Sequence, residues 1–254
     1  MSSGTDRVFL VVLAGGRSTR ARRSDSAAPK QFREVAGEMV CVHGLRELSA
    51  SGAVTAAVLV VPDSWRPTVA DALARASLPM PCHFAPAGDH RTASTWHALQ
   101  ALAELPADQR PADGDLVAVH DAARPFASRH LLDRLVRAAG RHGAAVPGVP
   151  VPDTIVQLAP GAADDLDEVP VAAYLERALL TAVQTPQVCR WRQLHDAHAW
   201  AAAEGRSFTD DGGLVAARGL QPVVVMGEAG NWKITTEDDW SRAAALLRHA
   251  DDQR

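Results

Sequence analysis

Val8-Phe9-Leu10-Val11-Val12-Leu13-Ala14-Gly15-Gly16-Arg17-Ser18-Thr19-Arg20 is the stretch that decides the architecture, and it runs on to Pro29-Lys30-Gln31-Phe32. Its unbroken apolar start, rich in valine, predicts a strand over Val8 to Leu13. Glycines just past a first strand let backbone N–H groups approach a phosphate chain closely, because no Cβ intervenes. A plain tight turn with solvated basic neighbours would use the same residues. Neither G-x-G-x-x-G nor G-x-x-x-x-G-K-[ST] occurs here, which argues against a dehydrogenase and a P-loop NTPase.

Outward from this segment, strand and helix patterns alternate. Val54 to Val61, Leu116 to His120, Ala144 to Val149 and Gln221 to Met226 read as further strands. Val40 to Ser49, Pro67 to Ala76, Thr92 to Glu104, Ser128 to Gly140, Arg190 to Glu204 and Glu237 to His249 read as helices. Such alternation predicts an α/β fold in one domain over residues 1–254, with a mostly parallel twisted sheet flanked by helices and ligands beyond the carboxyl ends of its strands. One stretch breaks the rhythm. From Pro150 to about Ala182, Pro152, Pro160, Gly161, Pro170 and the acidic Asp164, Asp165, Asp167 and Glu168 are too irregular for a βα unit, and an extended arm is expected.

Composition narrows the classes. The chain has 254 residues, a formal net charge of -4 and 22% charged residues. Both signs are interspersed and no basic stripe exists, so nucleic acid is not an expected partner. No apolar run reaches the roughly 18 to 20 residues of a membrane span, and Met1 to Arg7 lacks signal-peptide form, so a cytoplasmic protein is expected. Cys41, Cys82 and Cys189 are odd in number and far apart, which suits small buried residues better than a disulfide framework or a zinc site. Among the 26 basic residues only Lys30 and Lys233 are lysines. Ammonium and guanidinium groups are not interchangeable where geometry matters, which draws attention to both positions, although leftover surface charge would look the same.

Several blocks then occur in one order: Ala14-Gly15-Gly16 with Arg20, Pro29-Lys30-Gln31-Phe32, Gly88-Asp89-His90-Arg91-Thr92-Ala93-Ser94, Val119-His120-Asp121-Ala122-Ala123-Arg124-Pro125, Pro152-Asp153-Thr154-Ile155, Gln184-Thr185-Pro186-Gln187, Phe208-Thr209-Asp210-Asp211 and Lys233-Ile234-Thr235-Thr236. Together they resemble the nucleoside-diphospho-sugar pyrophosphorylase superfold, and within it the cytidylyltransferases of polyol phosphates, the 2-C-methyl-D-erythritol 4-phosphate enzymes above all. The resemblance implies a Rossmann-like nucleotidyltransferase fold, a homodimer formed through the arm, and transfer of CMP from CTP to a polyol phosphate with Mg²⁺.

It also implies roles. Arg20 and Lys30 would be catalytic, acting on the triphosphate where negative charge develops. Ala14, Gly15, Gly16, Gly88, Asp89, Arg91 and Ser94 would bind the nucleotide, although Asp89 would equally suit a cap on the helix starting near Thr92. Asp121 would hold the metal, unless it is a helix-capping or turn carboxylate. Arg124, Thr154, Arg177 and Lys233 would bind the acceptor. Both lysines thus fall on motif positions.

Some positions depart from the family pattern. Gly230 stands where a second metal-binding Asp is common; either Asp210, Asp211 or Glu228 replaces it, or Asp121 and the phosphates suffice. Ser18 replaces a glycine, the loop from Arg20 to Lys30 is lengthened around Arg22, Arg23 and Asp25, Gln157 takes a frequently basic position, and Trp232 replaces an aliphatic residue. The expected acceptor is methylerythritol 4-phosphate. Another polyol phosphate such as ribitol 5-phosphate, suggested by Trp65 after Val61-Pro62-Asp63-Ser64, or an inactive nucleotide-binding homologue suggested by Gly230, are the alternatives.

Overall fold

The computed structural model describes residues 7–16, 28–159 and 168–252, with side chains described through residue 248. In chain order the elements are β1 (Val8–Leu13), β2 (Glu34–Val35), β3 (Glu38–Met39), α1 (Val40–Ser49), β4 (Val54–Val61), α2 (Arg66–Ala76), β5 (Cys82–Pro86), α3 (Arg91–Ala103), β6 (Leu116–Asp121) and α4 (Arg129–His142). They continue with β7 (Ala144–Pro150), β8 (Val156–Leu158), β9 (Val171–Tyr174), β10 (Thr181–Val183), β11 (Gln187–Arg190), α5 (Trp191–Ala203), α6 (Asp211–Ala217), β12 (Val223–Met226) and α7 (Glu237–Asp252).

The main sheet runs β10-β7-β11-β6-β1-β4-β5, with β12 also on β7. Strand β1 pairs in parallel with β4 and β6, and β4 with β5. Strand β11 is antiparallel to both β6 and β7, which leaves β7 running in the direction of β6; β12 follows β7, and β10 opposes it. The sheet is therefore mixed but mostly parallel, and the α/β architecture expected from the alternating pattern is the one found. Six wholly apolar residues make β1, and Val8 to Val12 are fully buried because apolar layers cover both faces. On one face Leu10 and Val12 pack with Leu45, Leu131 and Leu135 of α1 and α4; on the other Phe9 and Val11 pack with Leu99 of α3 and Leu194 of α5.

Local signals set the helix starts. Ser128 Oγ accepts the Leu131 N–H ahead of α4, and Asp210 accepts the Gly213 N–H ahead of α6. The first turn of α3 is capped by His90, whose Nδ1 accepts the Ala93 N–H, so the cap considered for Asp89 belongs to its neighbour.

The stretch from residue 150 to 182 is not another βα unit. Strands β8 and β9 form an antiparallel hairpin, Val156 opposite Tyr174, which leads back through β10. Its apolar residues face solvent in this chain: Tyr174 is 76% and Leu179 84% exposed. Because β1, β4, β5 and β6 share one direction, their carboxyl ends lie along one edge. Leu13 is level with Val60 and Asp121, and Val61 with Pro86, so the loops after these strands converge there.

Candidate active site

Four of those loops build the site. The first, Ala14-Gly15-Gly16, is fixed from below by Gln31, whose Nε2 donates to the carbonyls of Ala14 (2.8 Å) and Gly16 (3.2 Å). Gly15 cannot carry a side chain, since a Cβ there would lie 2.7 Å from the Cβ of Ala87. The same holds for Gly88 in the loop after β5, where a Cβ would meet Ala93 at 2.6 Å. The Gly88 N–H donates to Ser94 Oγ, and the Ser94 hydroxyl hydrogen has no acceptor among the described residues, so it can serve a ligand. Between these loops lies a cavity of about 390 Å³, with Gly16, Phe32, Trp65, Gly88 and Asp89 in its wall. Phe32 and Trp65 stack there at 4.9 Å between ring centroids.

Asp121 closes β6 beside a set of cations. Lys233 Nζ lies 2.8 Å from its Oδ2, Arg91 Nε 3.7 Å from Oδ1, and Arg124 Nε 3.9 Å from Oδ2. Burial alone would raise the Asp121 pKa, but Lys233, Arg91 and Arg124 outweigh it and hold the carboxyl below its ordinary value. Arg91 is shared, with Nη2 2.7 Å from Asp211 Oδ2, and Asp211 Oδ1 is 2.9 Å from the buried ring of His198. Burial opposes the charge on Arg91, and Asp211 and Asp121 together raise its pKa.

The backbone of Asp121 is held by a hydrogen-bond chain whose polarity follows from its ends. Burial lowers the His120 pKa to about 4, so the ring is neutral. Its Nε2 faces the Arg124 carbonyl at 2.9 Å and must carry the proton, since a carbonyl only accepts. Nδ1 is then bare and takes the Thr185 O–H at 3.2 Å, and Thr185 Oγ1 in turn accepts the Asp121 N–H at 3.0 Å.

Lys30 sits in a short 3₁₀ turn, Lys30–Phe32, and is 5% exposed. Its Nζ donates to the Thr235 carbonyl at 2.5 Å, and among the described residues no carboxylate pairs with it. A buried ammonium with only a neutral partner is poised for an anion. Asn231 locks the same segment: its Nδ2 donates to the Thr185 carbonyl, and its own carbonyl accepts from Arg124.

Arg91, Arg124 and Lys233 are thus joined through Asp121 at one sheet edge, and Lys30 meets the same segment as Lys233 at the Thr235 carbonyl, with Ala14, Gly15, Gly16, Gly88, Asp89 and Ser94 in the adjoining loops. Arg20 lies outside the described residues, as do Ser18, Arg22, Arg23 and Asp25. Thr154 and Arg177 stand on the exposed arm, where Arg177 Nη1 donates to the Pro152 carbonyl at 2.6 Å; no hydrogen bond or ion pair among the described residues joins them to Asp121 within this chain. None of the candidate replacements for an aspartate at Gly230 is free. Asp210 caps α6, Asp211 holds Arg91 and His198, and Glu228 accepts from Ser128 Oγ at 2.6 Å. Trp232 packs on Phe126 beneath the guanidinium of Arg242. Gln31, His198 and Asn231 are not legible as site supports in the sequence; for Gln31 the one signal is its place beside Lys30 in the Pro29-Lys30-Gln31-Phe32 block.

A single carboxylate is a fitting partner for Mg²⁺, which commonly takes one or two carboxylates together with substrate phosphates and waters. Among the described residues Asp121 Oδ1 has only the long contact to Arg91 and could serve it, and no group of three or more His, Cys, Asp or Glu that could cage a metal occurs among them.

Fold and site together define an α/β protein with the architecture of the nucleotidyltransferases. The family model described as 2-C-methyl-D-erythritol 4-phosphate cytidylyltransferase matches residues 8–249, and the chain belongs to that family. It is 37% identical over 247 residues to a bifunctional enzyme IspD/IspF of Bradyrhizobium diazoefficiens, covering 96% of this chain and 56% of that one. To a bifunctional enzyme IspD/IspF of Anaeromyxobacter dehalogenans it is 38% identical over 243 residues, covering 95% and 57%. The chain spans about half the length of these curated relatives. Among solved structures, 2-C-methyl-D-erythritol 4-phosphate cytidylyltransferase from Thermus thermophilus is similar with a TM-score of 0.68 and 32% identity, covering 96% of this chain and 99% of that one. The 4-diphosphocytidyl-2C-methyl-D-erythritol synthase of Anaerococcus prevotii shares the fold, with a TM-score of 0.76, 23% identity and coverage of 96% and 100%. No helix among the described residues is long and apolar enough to cross a membrane.

Proposed function

We propose that the chain transfers CMP from CTP to 2-C-methyl-D-erythritol 4-phosphate, a step of isoprenoid precursor synthesis, and releases pyrophosphate in the cytoplasm. The observation that carries this reading is the convergence of Lys233, Arg91 and Arg124 on Asp121 at the end of β6, with the segment that bears Lys233 also presenting the Thr235 carbonyl to the buried Lys30.

In this reaction a phosphate oxygen of the acceptor forms a bond to the α-phosphorus of CTP, and the bond from that phosphorus to the oxygen bridging to the β-phosphate breaks. The electron pair leaves with pyrophosphate, and no proton needs to be removed from a phosphate dianion. Catalysis then rests on holding the two anions in line and stabilising charge on the equatorial oxygens and the leaving group. Gly15 and Gly16 suit the triphosphate, because no atom of the described residues would lie within 4 Å of a Cβ at Gly16. Lys30 supplies a dry positive charge there, and Arg20 joins it by motif position. The Gly88 loop, with Asp89 and the free Ser94 hydroxyl, offers the polar groups a cytosine and ribose require. Asp121 would hold Mg²⁺, which when bound neutralises phosphate charge; Arg91 orients the Asp121 carboxylate. Lys233 and Arg124 face the acceptor phosphate, one as a point charge and one as a fork.

Thr154 and Arg177 would complete the acceptor site of a second copy through the arm. Exposed apolar residues on the arm (Tyr174 and Leu179) and on β12 (Val224 and Met226) support a homodimer. The test is pyrophosphate release from CTP and Mg²⁺ over a panel of polyol phosphates. Fast release with methylerythritol 4-phosphate supports the proposal; preference for ribitol 5-phosphate, or CTP binding without release, contradicts it.

A further inference from the structure

We propose that Asp239 is a positioning residue for both lysines, acting through the turn that starts α7. Its Oδ2 accepts three hydrogen bonds from that turn: the N–H of Thr235 at 2.8 Å, the hydroxyl of Thr235 at 2.7 Å and the N–H of Thr236 at 2.8 Å. Thr236 Oγ1 answers by accepting the Asp239 N–H at 3.1 Å, which completes a reciprocal capping box. An ordinary box ties down a helix end. Here the tied residue also presents the carbonyl that holds Lys30, and Lys233 lies two residues before it.

The turn has little freedom to move except at this clasp. Before it, the Ile234 N–H donates to the Ala123 carbonyl in the loop after β6, and Ile234 is buried under α7. After it, Arg33, three residues past Lys30, pairs with Glu237 at 2.9 Å and lies over the ring of Trp240 at 3.9 Å. The Lys30 turn therefore rests on the first turn of α7 at two places, and Asp239 sets where that first turn stands relative to Asp121. The Thr235 hydroxyl, then its N–H and that of Thr236, hold the Asp239 carboxyl below its ordinary value, so the clasp is charged at neutral pH. With Asp239 truncated, three donors turn to water, and the Thr235 carbonyl is free to rotate away from Lys30 Nζ.

The consequence for turnover rests on the cytidylyl-transfer reading, whereas the consequence for the lysines does not. Because the chain holds only two lysines, lysine-selective ¹³C labelling gives two side-chain Cε–Hε resonances, one for each site. Three variants are compared with wild type: Asp239→Ala, which removes the clasp; Asp239→Asn, which keeps an acceptor oxygen; and Ala245→Gly, which weakens α7 at an exposed position away from the cap. Asp239→Ala is expected to move both resonances towards unstructured values and to lower kcat by about 10- to 100-fold with a smaller change in KM for CTP. Asp239→Asn should return both resonances to wild-type positions. Ala245→Gly should lower the melting temperature while leaving resonances and kcat in place. Resonances unmoved in Asp239→Ala, or moved as far in Ala245→Gly, would overturn the proposal and leave Asp239 a plain helix cap. A wild-type protein without turnover would defeat the reading of the reaction, while the two resonances would still decide the clasp.

Discussion

Lys30 and Thr235, 205 residues apart in sequence, meet through a single hydrogen bond from the Lys30 ammonium to the Thr235 carbonyl. It joins the loop after the first strand to the last helix, and it leaves the ammonium charge without a carboxylate partner among the described residues. If that charge serves the leaving pyrophosphate, Lys30→Ala should cut kcat at least about 100-fold, near 3 kcal/mol of barrier, while circular dichroism and melting temperature stay close to wild type. Lys30→Arg should not restore the rate, because a planar fork cannot occupy the site of a compact ammonium. Pyrophosphate release and a thermal melt on the same samples decide it.

Among the described residues, Asp121 is the one carboxylate that Lys233, Arg91 and Arg124 share. Asp121→Asn keeps the shape but removes the charge that would hold a cation. Turnover is expected to fall by about 100-fold or more, and the Mg²⁺ concentration for half-maximal rate should rise. A variant with wild-type rate and wild-type Mg²⁺ dependence would rule out Asp121 as the metal carboxylate.

Asp211 gives a pH dependence of stability. Burial would raise its pKa, but Arg91 and the hydrogen-bonded His198 ring depress it below the ordinary 3.8. A carboxyl with a lower pKa folded than unfolded contributes its stability in full above about pH 3.8 and loses it as pH falls through the folded value. Wild-type stability should therefore decline below pH 4. Asp211→Asn should be less stable at pH 7 by about 3 kcal/mol, since Arg91 loses its buried counter-charge, and should show a flatter decline in the acid range. Urea titrations between pH 2 and pH 7 measure both on an order-of-magnitude scale.

The arm offers a separate test. Leu179 is 84% exposed on this chain, which is unusual for a large apolar side chain on a structured segment. Light scattering is expected to give a dimer for the wild type and a monomer for Leu179→Asp, with acceptor KM raised because Thr154 and Arg177 no longer reach a partner. A wild-type monomer with full activity would contradict the role given to the arm.

Much of the frame was legible because apolar runs leave little choice. Strand β1 and helix α1 have the bounds that the valine run and the apolar spacing of Val40 to Ser49 predict. Strand β5 is not legible in the sequence because Cys82 to Pro86 is short, preceded by Pro81 and ended by a proline, and it is held by its register on β4. Strand β11 is four residues with polar ends, fixed only by the strands on either side of it. Helix α6 is short and contains Gly212 and Gly213, poor helix formers that the Asp210 cap and the Gln187 side chain offset. The ionic side chains that converge on Asp121 were legible as motif residues. Their supports were not, because Gln31, His198 and Asn231 act through buried hydrogen bonds between segments remote in sequence, and one-dimensional spacing carries no sign of such pairs.

The most direct measurement is ³¹P NMR of CTP, Mg²⁺ and 2-C-methyl-D-erythritol 4-phosphate with the purified chain. A new diphosphate signal joining the nucleoside to the polyol should grow in step with one equivalent of pyrophosphate, and ribitol 5-phosphate should react far more slowly. CMP in place of that diphosphate, ribitol 5-phosphate as the faster acceptor, or an unchanged spectrum with CTP bound would contradict cytidylyl transfer to methylerythritol phosphate.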